Sequence, residues 1–345
     1  MANLLHLCNR RFALSGLTAL RHTTAAQYRP ASSNRPMLTN NNIGTVPRAQ
    51  WKLQALSRTQ LPHVYSDLSK GKLTGFVVLT AMAGYAIAPG ATHISVLLWT
   101  SLGTAMCSAS ANSFNQWIEV PYDAQMARTR NRPLVRHLVE PGHSLLFGLT
   151  TGALGTLVLY GVSPLAGLLG FTNIALYAVA YTGMKRLSIV NTWVGSLVGA
   201  IPPLIGCAAA GALGPEAWVL AGIMFAWQFP HFNSLAHTLR AEYSKAGYRM
   251  MSVARPRLNA RVALRYSLLM FPLSALLPII GLTDPWFVVD SSVVNAYMAV
   301  CALGFWRHPD TKHSRRLFFS SLVHLPVLLM LIMGHKLIND REKRK

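Results

Sequence analysis

The sequence predicts an all-α polytopic membrane protein, a bundle of about nine transmembrane helices. Three observations carry that expectation. Of 345 residues, 52% are hydrophobic and only 12% charged, too apolar and too charge-poor for an ordinary soluble domain. Apolar stretches recur at close to the ~20 residues a helix needs to cross a bilayer core. Lys and Arg are segregated into alternate loops between those stretches.

The first 66 residues contain no Asp or Glu, while Arg10, Arg11, Arg21, Arg29, Arg35, Arg48 and Arg58 recur among Ser, Thr, Ala and Leu. That is the composition of a mitochondrial transit peptide, and 1–66 is expected to be presequence and linker, largely disordered. The membrane domain is expected over 67–336 and a basic tail over 337–345. Spans are expected from Leu73 to Pro89, Ile94 to Ala111, His143 to Tyr160, Pro164 to Thr182, Thr192 to Ala212, Glu216 to Ala236, Val262 to Leu282, Trp286 to Trp306 and Leu317 to His335. The loops after the second, fourth, sixth and eighth spans carry the cations, and those after the first, third, fifth and seventh carry none. All basic loops therefore share one face, expected to be the matrix side of the mitochondrial inner membrane. The basic tail falls on the opposite face, against that tendency.

The formal net charge of +21 does not indicate nucleic acid, because the cations lie in short loops between apolar runs rather than on a water-facing platform. Cys8, Cys107, Cys207 and Cys301 are too far apart in sequence for a disulfide framework or a thiolate metal site.

Where the second span ends, Asn115, Glu119 and Asp123 follow at i, i+4 and i+8, so a helical stub there puts hard oxygen ligands suited to Mg²⁺ on one face. Arg128, Arg130, Arg132 and Arg136 come next, with planar forks that fit phosphate oxygens. A second element is Tyr181 to Arg186, where Tyr181 and Lys185 share a helix face. A third runs from His231 to Met251, after Phe225, Trp227 and Phe229, and holds His237, Arg240 and Glu242. Pro230 in mid-span predicts a kink or break lining a cavity, beside which His231 is an intramembrane polar residue. Metal, cations and an apolar aromatic cavity suit an allylic diphosphate with a long isoprenoid tail. Trp117, Trp227, Phe229 and Phe232 offer ring faces to an allylic cation.

At these residues the chain resembles the UbiA superfamily of membrane prenyltransferases, and within it the branch that farnesylates heme B. The resemblance rests on Asn115 to Leu134 with Met126, Arg128, Thr129, Arg132 and Pro133; on Tyr181 to Arg186; on Asn191 to Gly195 with Ala200 to Pro203; and on His231 to Met251. It implies a nine-span bundle that transfers farnesyl from farnesyl diphosphate to a vinyl group of heme B, with Mg²⁺ as cofactor, making heme O. A downstream heme A synthase and membrane lipid would be its partners, with no nucleic acid. It further implies Asn115, Glu119 and Asp123 as metal and catalytic residues, with Lys185 and Glu242. Arg128, Arg132, Lys185, Arg186 and Arg240 would hold the diphosphate, and His231, Tyr181, Trp227 and Phe232 would line the heme and prenyl pocket.

Two departures from the family pattern bear on this. Glu119 stands where the superfamily has Asp, and the second Asp-rich stretch is reduced to Glu242, so one metal ion is expected rather than two. A polyprenyltransferase of ubiquinone biosynthesis and a membrane transporter or assembly scaffold are the alternatives.

Overall fold

In the computed structural model, residues 57 and 59–342 are described, apart from 91, 92 and 212. The expected transit segment lies outside the described residues up to position 56, as do the last three residues of the expected tail. The described residues belong to one compact unit. Among the described residues every regular element is helical: α1 (Leu61–Leu68), α2 (Gly71–Ile87), α3 (Ile94–Asp123), α4 (Pro141–Val162), α5 (Pro164–Met184), α6 (Asn191–Ala209), α7 (Pro215–Thr238), α8 (Arg240–Lys245), α9 (Met251–Ala254), α10 (Pro256–Ile279), α11 (Phe287–Arg307) and α12 (Thr311–Glu342).

Seven of these helices (α3, α4, α5, α6, α10, α11 and α12) are long and apolar enough to cross a membrane. The shorter apolar α2 and the 24-residue α7 complete nine long helices at the nine expected positions. α7 is the more polar one, carrying Glu216, Gln228, His231, Asn233 and His237, and it lies inside the bundle against α6, α10 and α12. The largest buried cluster sits there, with Phe287, Phe305, Met270, Met298 and Ile223 fully buried. Leucines and valines on the outer faces, such as Leu98, Leu157 and Val300, are exposed as lipid-facing residues are.

Small residues set the closest contacts. A Cβ on Gly206 of α6 would stand 1.9 Å from the Ala81 carbonyl oxygen of α2, and one on Gly84 of α2 would stand 2.1 Å from that of Pro203. The two backbones touch, which only glycine permits at either position.

Several boundaries differ from expectation. The second span does not end at Ala111; α3 continues through Pro121 to Asp123 because its polar last turns are buried and bonded rather than solvated. Residues 61–66 belong to α1, whose Val64 and Leu68 pack on Leu134 and Val139. α7 passes through Pro230 unbroken as far as Thr238. The helix also continues past His335 into the expected tail. There Lys336 donates to the carbonyls of Ala86, Ile87 and Ala88 at 2.9, 2.9 and 3.2 Å, capping the C-terminus of α2. This cation, on a face whose interhelix loops carry no Lys or Arg, is spent on a neighbouring helix end.

Candidate active site

The site grows from the polar face that α3 presents in its last three turns. Asn112, Asn115, Gln116, Glu119 and Asp123 are all buried, an expensive arrangement unless each finds partners. Gln116 donates to the carbonyls of Asp67 and Leu68, both at 2.8 Å, and Asn112 donates to that of Ser69 at 3.1 Å. These amides satisfy the last carbonyls of α1 and so dock it against α3. The next residue, Lys70, takes a left-handed backbone conformation (φ 49°), which swings the chain into α2. Its ammonium donates to Asn115 Oδ1 at 2.6 Å and to the Tyr177 hydroxyl at 3.2 Å.

Glu119 accepts from Lys185 Nζ at 2.7 Å and lies 3.7 Å from the Arg132 guanidinium. Arg132 also pairs with Asp123 Oδ2. The 124–140 loop is held for this contact by Thr129, whose hydroxyl donates to the Asp123 carbonyl at 2.9 Å, and by buried Pro133 and Leu134. Two carboxylates thus meet three cations: Lys70, Lys185 and Arg132. Burial, then the charges of Arg132 and Lys185, pull the Lys70 ammonium well below the usual lysine range.

In α5 a π-helical stretch, Leu176–Tyr181, inserts an extra residue in the turn and re-aims the side chains beyond it. Tyr177 and Tyr181 stand 5.4 Å apart, and Lys185 lies 4.5 Å from the Tyr181 ring centre. Thr182 accepts from Asn115 Nδ2 at 3.1 Å. Arg186 donates to the Tyr122 hydroxyl at 2.5 Å and lies over that ring.

The loop after α7 closes the other side. The Arg249 N–H donates to the Lys185 carbonyl at 2.9 Å. Tyr248, which follows Gly247 at φ +72°, sits between Tyr122 and Tyr243. Its hydroxyl is buried, facing Glu119 without a close hydrogen bond. Burial, then the charges of Glu119 and Asp123, push this phenol well above the ordinary tyrosine range, so it remains a neutral donor facing two carboxylates.

Asn115, Glu119, Asp123, Arg132, Lys185 and Tyr181 therefore come together, with Arg186 joined to them through Tyr122. The others do not join them directly. Arg128, Arg130, Arg136 and Arg240 are exposed. Glu242 accepts the Arg128 backbone N–H at 3.3 Å instead of facing the α3 carboxylates. His231 stacks on Trp227 and bonds Ser321 of α12 at 3.0 Å, while Trp227 donates to the Ser321 carbonyl. Both rings thus face α12, whereas Phe232 packs with Tyr122, Met126 and Tyr248 beside the site. Phe229 is fully buried against Tyr266, and Trp117 lies on the exposed side of α3.

Sequence reasoning missed Lys70, Tyr177 and Tyr248. A lysine next to Gly71 before an apolar span carries a weak signal, since membrane-anchoring cations sit at the same place. Tyr248 stands beside Gly247, a turn residue with no chemistry of its own.

The donor set fits one Mg²⁺. Among the described residues no three His, Cys, Asp or Glu side chains converge, but Mg²⁺ is commonly held by one or two carboxylates plus substrate phosphates. Asp123 Oδ1 is buried without a partner, an oxygen free to take a cation. Glu119 and the second lone pair of Asn115 Oδ1 supply further hard donors on the same face.

A profile of the UbiA prenyltransferase family matches residues 77–342. The protein called protoheme IX farnesyltransferase, mitochondrial, of Yarrowia lipolytica is 50% identical, over 79% of this chain and 61% of its own length. Its namesake of Homo sapiens is 47% identical, over 85% of this chain and 66% of its own. The chain thus spans somewhat under two-thirds of these relatives' lengths. Among solved structures, a UbiA homolog of Archaeoglobus fulgidus bound to DMAPP and Mg²⁺ superposes with a TM-score of 0.60 at 14% identity, over 78% of this chain and 98% of that one. At that identity the likeness concerns the fold alone.

Proposed function

The chain belongs to the UbiA prenyltransferase family, and we propose that it is a mitochondrial inner-membrane enzyme that transfers farnesyl from farnesyl diphosphate to a vinyl group of heme B, forming heme O. The names of its relatives supply the substrates. One observation supports the chemistry: the buried polar end of α3, where two carboxylates and Asn115 meet Lys70, Lys185 and Arg132 around an unpartnered Asp123 oxygen.

In the reaction, the C1–O bond of farnesyl diphosphate breaks and diphosphate leaves with the electron pair. The vinyl π electrons form the new C–C bond to C1. Water adds to the resulting cation next to the porphyrin and loses a proton, leaving a hydroxyethylfarnesyl group. Lys185 and Arg132, half-buried and already aimed, stabilise the negative charge that develops on the leaving group. Lys70 does the same, and its weakly held proton is strengthened when an anion arrives. Tyr181, Tyr177 and Phe232 exclude water from the allylic cation until the carbon acceptor has reacted.

Mg²⁺, held by Asp123 and Glu119 with Asn115, would supply Lewis-acid charge to the diphosphate oxygens. Three cations against two carboxylates leave one net positive charge. A prenyl diphosphate carries about three negative charges, so a single divalent ion neutralises the assembly. Glu242, held by the Arg128 N–H, is in no position to recruit a second. Arg128, Arg186 and Arg240 serve the diphosphate from the solvent side, and His231 with Trp227 belongs to a heme-facing wall next to α12. The basic loops face the matrix, and the product passes to a heme A synthase.

The test is incubation of the full chain in detergent with heme B, farnesyl diphosphate and Mg²⁺. Heme O and diphosphate are expected in equal amounts, and chelation of Mg²⁺ should stop both. Diphosphate release without heme O, or a quinone precursor prenylated in preference to heme, would overturn the assignment.

A further inference from the structure

α10 starts as a basic element and becomes a lipid-facing one along a single stripe. Arg257, Arg261 and Arg265 recur every fourth residue and are all exposed. Successive guanidinium-bearing positions stand ~6 Å apart along the axis, so the row descends ~12 Å into a membrane-crossing helix. Continuing the same stripe, the exposed residues include Leu268, Leu269, Leu276 and Ile279. Beside the upper arginines lies a shallow, open groove lined by Arg255, Pro256, Arg257, Leu258 and Arg261.

Among the described residues, none of these four guanidinium groups has an ion-pair or hydrogen-bond partner. Like charges one helical turn apart repel, and Arg265, in the first turn of the span expected from Val262, is costly unless an anion meets it. The tendency of cations to stay on one side of a membrane accounts for basic loops. It does not account for three arginines aligned on one exposed stripe that runs on into the lipid-facing part of a helix.

We propose that this face of α10 is a binding site for an anionic phospholipid. The phosphodiester is gripped by Arg257 and Arg261 at the groove beside Arg255, and Arg265 reaches up to the same head group along its own aliphatic stem. The acyl chains lie over Leu268, Leu269 and Leu276. Nothing in this depends on the prenyl-transfer reading, because it uses neither the α3 carboxylates nor their cations.

The experiment is native mass spectrometry of the full chain equilibrated with phosphatidylglycerol and phosphatidylcholine of matched acyl chains. Retention of phosphatidylglycerol is expected to exceed that of phosphatidylcholine about tenfold, and to fall to about parity in the triple variant R257Q/R261Q/R265Q. The variant R307Q/R315Q/R316Q removes equal charge from exposed positions on the same face of the bundle and should keep the preference. The single variant R261Q, which perturbs the fold least, should lose about threefold. Equal retention of both lipids by the unaltered chain, or equal loss in the two triple variants, would reduce the site to unspecific attraction and overturn it. Hemin affinity lost in R257Q/R261Q/R265Q with the lipid preference intact would assign the groove to porphyrin carboxylates and equally end the proposal.

Discussion

Asp123 concentrates the chemistry of the site in one side chain. One of its oxygens pairs with Arg132, and the other is buried with no partner. Asp123→Asn keeps the volume and removes the charge, so the protein should still accumulate while turnover falls about 10²–10³-fold, measured as heme O formed per mole of enzyme. Tyr248 gives a complementary case. Its hydroxyl faces Glu119 without a close hydrogen bond, so Tyr248→Phe should shift stability by no more than ~1 kcal/mol in thermal melting. If the phenol donates to substrate, the same variant should lose about tenfold in turnover at saturating substrate. A stability loss matching the activity loss would make it a packing residue. Asn115, Glu119, Asp123 and Arg132 were legible because helical spacing and charge in an apolar chain are strong signals. Lys70 and Tyr248 were not, since a left-handed turn and a loop packed back against α3 are products of tertiary structure. The roles of Glu242 and His231 were equally hidden: an acidic residue in a basic loop and a histidine in a span say nothing about which backbone or helix they face.

Helix pairs are fixed by different means. α2 and α6 touch backbone to backbone at Gly84 and Gly206. Gly206→Ala gains some helix propensity, but it pushes a methyl into the Ala81 carbonyl, and such overpacking typically costs about 1–3 kcal/mol. The variant should melt several degrees lower, whereas Gly75→Ala, whose added Cβ would meet nothing, should not. Toward the same end of the bundle, His335 of α12 bridges Asp284 and Asp290 at 2.6 and 3.1 Å. Desolvation raises the Asp284 carboxyl, but the hydrogen bonds from His335 and the Trp286 N–H outweigh it and hold the group below the usual carboxylate range. Stability from this lock is therefore present above the unfolded carboxylate pKa of about 3.9 and is lost as pH falls through the lower folded value. Melting followed from pH 7 down to acid should show that loss, and Asp284→Asn should remove it. The nine helix positions could be expected from hydropathy alone. The true end of α3 could not, because hydropathy ends a span where polar residues begin, and here those residues turn inward onto α1 and α5.

For the molecule as a whole, charge is distributed with a purpose that composition only hints at. A chain with eleven acidic residues and a formal charge of +21 places two of those acids in one buried site and surrounds them with cations. Fold and family were readable from the order of apolar spans and motifs. The capping role of Lys336 and the unpartnered arginine stripe on α10 needed the packed bundle. The central claim is that this bundle makes heme O, and the most direct measurement is heme extraction and mass analysis from cells that lack heme O synthase and express the full chain. Heme O should appear with the unaltered chain and be absent with Asp123→Asn at equal protein level. Heme B alone in cells that accumulate the unaltered chain, or unchanged heme O with Asp123→Asn, would contradict the account.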